Sequence, residues 1–301
     1  MDDECTVRAR FFEPPVGLRR YFTTFYLTEV EVAPGATVTD WLHPEWGGIR
    51  IAEALLPAAE IAGQPPLPSV KMTAQGPTST TIRFAGGSFR MWGVGFLPLG
   101  WAQFVRTPAR DLADVIVDGH AHPAFAPFVA LADGLFGAAP DVEAELARIS
   151  AFFAARAKQP PGDEAQIVAV HAALVDPAVS TVAQLCVRAG LPDYTIERLC
   201  RRHFGFAPQL LLRRQRFMRS IAQFMLDPSL KWIGALDDHY HDQAQFVRDF
   251  HRFMGMSPRE YSSLPHPILA AVMRARFAEA GAAVQALHAP RAGSATAAAS
   301  A

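Results

Sequence analysis

Two similar stretches decide the fold of the C-terminal part of the chain: RLCRRHFGFAP at residues 198–208 and RDFHRFMGMSP at residues 248–258. They begin 50 residues apart, and each ends an apolar pattern of helical length at a glycine. Glycine commonly caps the end of a helix because it adopts the left-handed conformation without strain. The repeat therefore predicts two copies of one helical unit. The identical positions are Arg198 with Arg248, Arg202 with Arg252, Gly205 with Gly255, and Pro208 with Pro258.

A shorter helical pattern precedes each copy. TVAQLCVRAG (181–190) ends at Gly190, and Leu-Pro-Asp then leads into the first copy. WIGALDDHYHD (232–242) precedes the second copy, with Asp242 as the expected N-cap. Each unit therefore has the order helix, tight turn, helix. Between the two units, PQLLLRRQRFMRSIAQFML (208–226) predicts one long linker helix.

Charge divides the chain in the same way. The net charge of the 301 residues is −1, but residues 1–179 carry −7, residues 180–263 carry +4 and residues 264–301 carry +2. The positive charge of the repeat region comes mainly from clustered arginines, which suits a polyanionic partner. Two modules with different partners are expected.

The N-terminal part favours β-structure first and helices later. Aromatic and β-branched residues fill 19–32 and 79–105, with Gly86-Gly87 as an expected hairpin turn in the second of these regions. From about residue 108 the apolar spacing becomes helical. Predicted helices cover 109–117, 125–137, 141–157, 164–175 and, after Pro267, 269–287, and residues 289–301 are expected to be disordered.

The paired repeat resembles the DNA-binding domain of AraC-type transcriptional regulators, over about residues 180–262. The resemblance rests on AGxxxxxxxRLxRRxxGxxP in the first unit and YHDQxxFxRDFxRFxGxSPxxY in the second. The front part more weakly resembles the β-rich sensor or oligomerisation domains of such regulators. The resemblance implies an α+β chain: a β-rich, cupin-like or related barrel module with flanking helices at 1–160, a module of two helix-turn-helix units joined by a linker helix at 165–265, and a helix and disordered tail at 266–301.

The resemblance also implies which side chains meet DNA. Each second helix would enter a major groove, where the base edges present a distinct pattern of donors and acceptors. Arginine suits guanine, glutamine suits adenine, and glutamate can accept from cytosine. The implied base-reading positions are Tyr194, Glu197, Arg198, Gln243, Ala244 and Arg248, and Arg201, Arg202, Gln245 and Arg252 complete the predicted DNA-binding set.

The second unit departs from the family pattern at its turn. His239 stands where a glycine is usual, after Asp237 and Asp238. A non-glycine residue in a left-handed turn costs some stability, and two acidic residues would lie close to the DNA-facing module. We therefore expect a folded unit with lowered DNA affinity.

The sequence gives little support for an enzyme active site or a metal site. No GxSxG, Walker or HExxH motif occurs. His239, His241 and His251 fall close together, and the HYH spacing would allow a metal pair, but they lie in the turn and helix of the matched unit, where the family needs no metal. The close-set ligand motif of a metal site is absent around the scattered His43, His120 and His122, so neither a metal nor a cofactor is predicted. Cys186 and Cys200 lie among apolar residues and are expected in the core. A reduced, cytoplasmic location without membrane contact is expected, since neither a signal peptide nor a long apolar run is present.

Aromatic and aliphatic residues at helical spacing are expected to be core. Trp41, Trp46, Trp92 and Trp101 are open between core and a ligand pocket, with core favoured. Other expected core positions are Leu185, Leu199, Leu210, Phe217, Ile221, Phe246, Phe250 and Tyr261.

Together these features predict a sequence-specific DNA-binding transcriptional regulator and not an enzyme. Its expected partners are promoter DNA, RNA polymerase, a small-molecule effector and a second copy of the chain, with the front module sensing the effector, dimerising, or both. Two alternatives stay open: an enzyme or ligand-binding protein with a degenerate helix-turn-helix module, and a regulator that acts chiefly through protein partners.

Overall fold

Two antiparallel sheets form the N-terminal part of the chain. The computed structural model describes residues 5–157, 159–227, 229, 231–240 and 242–290. One sheet has six strands in the order β1-β2-β8-β4-β6-β9, and the other has three in the order β3-β7-β5. The strands are β1 (Cys5–Phe12), β2 (Phe22–Val32), β3 (Val38–Leu42), β4 (Gly48–Ala52), β5 (Ala58–Ile61), β6 (Met72–Gln75), β7 (Ile82–Gly86), β8 (Phe89–Phe96) and β9 (Ile116–Asp118).

Helices dominate the rest of the chain. Two turns with π-helical hydrogen bonding, Trp101–Val105 and Cys200–Phe204, extend α1 and α6. The helices are α1 (Pro98–Gly100), α2 (Val129–Gly134), α3 (Val142–Ala154), α4 (Glu164–Val175), α5 (Val182–Ala189), α6 (Asp193–Leu199), α7 (Pro208–Leu226), α8 (Lys231–Gly234), α9 (Gln243–Met254), α10 (Pro258–Ser263) and α11 (Pro267–Ala280).

The β-rich character of the front part is confirmed, but the barrel is not. β1 and β9 lie at opposite ends of the six-stranded sheet, and no pairing between them closes it within the described ranges. The edge at β1 is instead flanked by α11, which packs along that strand. A helix that covers a sheet edge protects its unpaired backbone groups, which closure would otherwise do.

Gly86-Gly87 does not form the predicted hairpin. β7 pairs with β3 and β5, whereas β8 pairs with β2 and β4, so the glycines carry the chain from one sheet to the other. A side-chain carbon on Gly86 would lie 2.9 Å from Pro57 Cβ. The glycine is therefore required for close approach of two chain segments and not for a tight turn.

Helix predictions succeed where the apolar period is long. The linker helix α7 begins at Pro208 and ends at Leu226, as predicted, and α3 and α4 lie within their predicted segments. The helix predicted at 109–117 is wrong, because this segment contains a 3-10 turn at Ala109–Leu112 and then β9, which pairs with β6. The predicted disordered tail from residue 291 onward lies outside the described residues.

The hydrophobic core joins the front sheets to the first helical unit. One cluster contains Trp46 and Phe96 of the front part together with Leu199 and Phe204 of the first unit. A second cluster contains Phe217 of α7, Phe250 of α9 and Val284 beyond α11. The boundary predicted between residues 160 and 165 lies between α3 and α4. One apolar core continues across this point, so the structure shows no separation there and the domain boundary stays a prediction.

The C-terminal helix α11 is fastened to the front sheets. The buried carboxylate of Asp40 in β3 accepts hydrogen bonds from the backbone N–H groups of Ile268 (2.9 Å) and Leu269 (2.8 Å). These are orphan donors of the first helical turn, and a carboxylate there also complements the helix dipole. The segment after the second unit therefore returns to the start of the fold.

Within the described ranges no helix is both long and apolar enough to cross a membrane.

Candidate nucleic-acid interface

The first helix-turn-helix unit is built by local capping. Thr181 caps α5: its Oγ1 accepts from the Gln184 backbone N–H (3.2 Å), while its own N–H donates to Gln184 Oε1 (3.1 Å). This reciprocal pair satisfies two donors that a helix start leaves open. Gly190, at φ +66°, ends α5, and Pro192 directly precedes α6. The turn is therefore the short one predicted from the sequence.

The second helix of this unit has one buried and one exposed side. Ile196 and Leu199 are fully buried, whereas Tyr194 is 76% exposed and Arg198 is exposed. The exposed side contains most of the residues predicted to meet DNA. They are Tyr194, Arg198, Arg201 and Arg202, with Glu197 half-buried beside them.

Glu197 and Arg201 are paired with each other. Arg201 Nε donates to Glu197 Oε1 at 2.6 Å, one helical turn away, and both side chains keep about half of their surface in solvent. Such exposed pairs are weak and contribute about 0.3–0.5 kcal/mol. The pair therefore reduces the negative charge that Glu197 would otherwise present, and it breaks easily when either group finds a better partner.

The second unit has the same plan with a longer turn. α8 ends at Gly234, and α9 begins at Gln243 after Asp242, whose Oδ1 accepts from the Gln245 backbone N–H at 2.6 Å. α9 buries Phe246 and Phe250 and ends at Gly255, at φ +70°. The predicted DNA-facing residues again lie on the side away from the core. Gln243, Ala244, Arg248 and Arg252 are exposed, and Gln245 is half-buried.

The acidic turn of the second unit has a structural role. Asp237 accepts from Arg219 Nε of the linker helix and from the His239 backbone N–H (3.0 Å), and its own N–H donates to Ser220 Oγ (2.8 Å). These bonds outweigh the effect of burial and lower the pKa of the Asp237 carboxyl. Asp237 therefore forms a half-buried ion pair and adds no free negative charge at the interface.

The expectation of a strained turn at His239 is wrong. Among the described residues, positive φ angles outside glycine occur only at Arg106 and Asp114. The longer turn removes the need for a left-handed residue at this position. His241, one of the histidines considered for a metal site, lies outside the described residues.

Asp249 of α9 anchors the second unit to the linker helix. Its carboxylate is 1% exposed and accepts from Arg213 (2.5 Å), Arg216 (2.9 Å) and the Tyr240 hydroxyl (3.1 Å). Sequence analysis missed this cluster, because the four arginines of the linker helix do not differ in type. The i, i+3 spacing of Arg213 and Arg216 was the one local indication that they share a side of α7.

Apart from Arg201 and Arg214, the arginines of the second helices and the linker helix fall into two groups. Arg213, Arg216 and Arg219 are held by buried or half-buried carboxylates. Arg198, Arg202, Arg248 and Arg252 are exposed and take part in no ion pair within the described part of the chain. The second group is available to an anionic partner.

A fourth arginine of the linker helix, Arg214, points the opposite way, into the front part of the chain. It is fully buried, its guanidinium lies 4.0 Å from the Trp46 ring centroid, and it donates to the Thr78 carbonyl at 2.9 Å. Burial lowers the pKa of Arg214 to about 9. Trp46, Trp92 and Trp101 are all buried, as expected for core residues.

A cavity of about 90 Å³ lies between the two sheets, with α11 as one wall. Most of its lining is apolar, and the polar exceptions converge from different elements. Cavities that are mainly apolar with a few convergent polar groups are typical of small-molecule sites. The polar lining side chains include Tyr26, His43, Glu45, Arg50, Arg276 and Gln285.

Comparison with known families supports the fold of the two units. Residues 185–263 match the family described as a helix-turn-helix domain. The chain carries an AraC-type helix-turn-helix domain. This AraC-type domain runs from within α5 to the end of α10, so it includes both second helices and the linker helix. Domains of this type occur in DNA-binding transcription regulators.

Two solved structures show a distant likeness to the whole chain. ToxT from Vibrio cholerae is 10% identical with a TM-score of 0.42, over 86% of this chain and 98% of that one. The AraC-like transcriptional activator CuxR is 12% identical with a TM-score of 0.24, over 72% of this chain and 87% of that one. No curated protein matches the sequence.

Proposed function

We propose that this regulator reads DNA with the exposed sides of α6 and α9, and that its front sheets sense a small molecule. The observation that carries the DNA proposal is the separation of its arginines. Apart from Arg201, which pairs weakly with Glu197, the exposed arginines of the second helices lack carboxylate partners, while those of the linker helix are held internally. Because Arg213, Arg216 and Arg219 are already held by carboxylates and Arg214 is buried against Trp46, the exposed unpaired arginines supply the attraction to phosphate and base.

Roles within this set follow from side-chain chemistry. Arg198 and Arg248 suit bidentate contacts to guanine, Gln243 suits adenine, and Tyr194 and Ala244 suit a thymine methyl group. Arg201, Arg202 and Arg252 suit phosphates, which fix register without reading sequence. Gln245 is half-buried beside the Asp242 N-cap, a position that suits a contact to the DNA backbone. Glu197 can accept from cytosine once Arg201 turns to a phosphate.

The sensing proposal rests on the cavity between the sheets. Its walls come from both the front sheets and α11, so an occupant would contact the front part and the segment that follows the second unit. A ligand that binds one arrangement of these parts better than another shifts the population between them. In the cytoplasm, promoter occupancy would then follow the effector, with RNA polymerase as the downstream partner and a second copy of the chain as a further one.

The DNA proposal is tested by gel shift of the full chain on DNA upstream of its own gene, with excess nonspecific competitor. The Arg198→Ala/Arg248→Ala double variant should lose about 2–6 kcal/mol of binding free energy, since each lost bidentate contact costs about 1–3 kcal/mol.

A matched control removes two arginines elsewhere. Arg8 and Arg83 lie on the front sheets in exposed ion pairs, so Arg8→Ala/Arg83→Ala makes the same charge change away from α6 and α9. The control should bind like the wild type. Equal loss in both double variants would show a nonspecific charge effect and contradict reading by the second helices.

A further inference from the structure

Arg276 is a buried cation without a counter-ion. It lies on α11 and lines the cavity, and it is only 6% exposed. Its guanidinium lies over the rings of Phe11 (5.1 Å) and Tyr26 (5.6 Å), and its Nε has no acceptor. Within the described part of the chain Arg276 makes neither an ion pair nor a hydrogen bond. A buried charge left in this state is costly unless something pairs with it.

The other charged groups of the cavity wall are already satisfied. Arg50 donates to Gln75 Oε1 (2.5 Å) and to the Glu45 carboxylate. Glu45 also accepts from the Gln75 amide (2.8 Å), and the Gln285 amide, turned by 180°, donates to its second oxygen (2.8 Å). Glu45 is therefore shared among three other donors. It attracts Arg276 only through space, and none of its hydrogen bonds goes to that guanidinium.

The remaining titratable group in the wall, His43, is neutral. Burial, followed by the charges of His266 and Arg276, lowers the pKa of His43 to about 3, and its Nε2 lies 2.7 Å from the Tyr261 hydroxyl. The wall thus holds two guanidinium groups against one carboxylate. It carries one excess positive charge, and that charge resides on Arg276.

We propose that the cavity binds a short monocarboxylate, with the carboxylate on Arg276 and the apolar part against the sheets. Guanidinium groups recognise carboxylates in a bidentate, charge-assisted way. One excess charge in a mainly apolar cavity matches a single negative charge better than the double charge of a phosphate. The proposal deepens the sensing function proposed above and names its ligand class.

Cavity size limits the ligand. An engineered cavity of about 150 Å³ holds benzene, with its six heavy atoms. In proportion, a cavity of about 90 Å³ suits molecules of roughly four heavy atoms, such as acetate, with propionate and butyrate as the upper limit. Longer chains would have to displace α11.

The position of Arg276 gives the ligand a structural effect. α11 is fastened at its start by Asp40, but the guanidinium two turns later only lies over the rings of Phe11 and Tyr26 and has neither a hydrogen bond nor an ion pair to the sheets among the described residues. A bound carboxylate would neutralise it and hold the middle of α11 against β1 and β2. Val284, just beyond α11, belongs to the core of the second unit, so the same contact reaches the DNA-binding module.

The test measures thermal unfolding of the full chain without DNA, so it is independent of the DNA proposal. Acetate, propionate, butyrate, benzoate and octanoate are each compared with the primary amide of the same skeleton, at matched ionic strength. At least one acid of four to six heavy atoms should raise the melting temperature saturably, and its amide should not.

Two variants on α11 assign the effect to the residue. Arg276→Met keeps side-chain length and removes the buried charge, so the protein should stay folded and bind the acid at least tenfold more weakly. Arg274→Met changes an exposed arginine of the same helix and should respond like the wild type. The proposal is overturned if acids and amides act alike, if none of the acids has an effect, if only octanoate binds, or if Arg276→Met responds normally.

Discussion

Two buried histidines, His43 and His171, are kept neutral at the junction between the front sheets and the helical units. Burial is the main cause in both cases, and it lowers the pKa of each ring to about 3. Charged arginines oppose protonation further: Arg276 near His43 and Arg214 near His171. The unfolded chain would protonate both rings near pH 6.5.

The difference in histidine pKa between the folded and the unfolded chain predicts a loss of stability in mild acid. A histidine whose pKa is lower in the folded state supports folding fully above pH 6.5, and this support is lost as the pH falls from 6.5 toward 3. At pH 5.5 each ring should lower the free energy of unfolding by roughly 1.4 kcal/mol relative to pH 7.5. Urea unfolding at the two pH values should therefore show a combined loss of about 3 kcal/mol.

His171→Phe isolates one of the two contributions. His171 lies edge-on to Trp46 and Phe204, where a phenyl ring fits the same aromatic contacts. This variant should show about half of the wild-type loss between pH 7.5 and 5.5. His120→Gln, at a half-buried position on the front part, should keep the full loss. A wild-type stability that does not change over this interval would refute the assignment.

At the same scale, sequence analysis identified the residues that face solvent better than those that face inward. Tyr194, Arg198, Arg248 and Gln243 are exposed where the repeat placed them. Arg214 and Arg276 were not singled out, because their burial depends on Trp46 and on strands far away in the chain. The local sequence around an arginine in a helical pattern does not indicate a contact with a residue 170 or 250 positions away.

Among the elements, α7 and α9 are joined through Asp249, and this contact makes the second unit sensitive to one substitution. Asp249→Ala would leave Arg216, which is mostly buried, without its carboxylate. Breaking a buried pair by removing one partner typically costs about 3–5 kcal/mol. We expect a loss of about 3 kcal/mol in the free energy of unfolding, measured by chemical denaturation, together with weaker DNA binding.

The exposed Asp238 provides the comparison for this variant. Asp238→Ala makes the same change of charge and size in the same unit and should alter stability by no more than about 0.5 kcal/mol. If Asp249→Ala unfolds at the wild-type denaturant concentration, the cluster of Arg213, Arg216 and Tyr240 does not stabilise the unit.

Elements were predictable where local pattern and tertiary packing agree. α7 has 19 residues with a clear apolar period, and its bounds were predicted correctly. The segment 109–117 has a similar apolar spacing but is too short to fix its own conformation, and pairing of β9 with β6 decides it instead. The same reason explains Gly86-Gly87, where the choice of sheet for β8 depends on pairing with β2 and β4 and not on the turn.

At the scale of the whole molecule, charge separation should govern how salt affects DNA binding. The front part is acidic and the AraC-type domain basic, so attraction to DNA comes from a limited set of exposed arginines. Each phosphate contact that releases a counter-ion contributes about −0.9 to the slope of log affinity against log salt concentration. Arg202→Ala/Arg252→Ala should therefore make the slope shallower by about 2.

The measurement is a titration at several salt concentrations by fluorescence anisotropy. Arg8→Ala/Arg83→Ala serves again as the control and should keep the wild-type slope. An unchanged slope in Arg202→Ala/Arg252→Ala would place these two side chains away from the phosphates.

Because α11 packs against the front sheets, it determines which parts of the protein can fold first during synthesis. The core shared by the sheets and the first unit needs no residue beyond Leu212. The second unit, by contrast, draws on Val284 and Ala286, and the wall of the cavity on Ile268 to Gln285. A nascent chain can thus bury α6 against the front part while α9 is still being made. The cavity closes only after both helices exist, so its wall is complete only in the finished molecule.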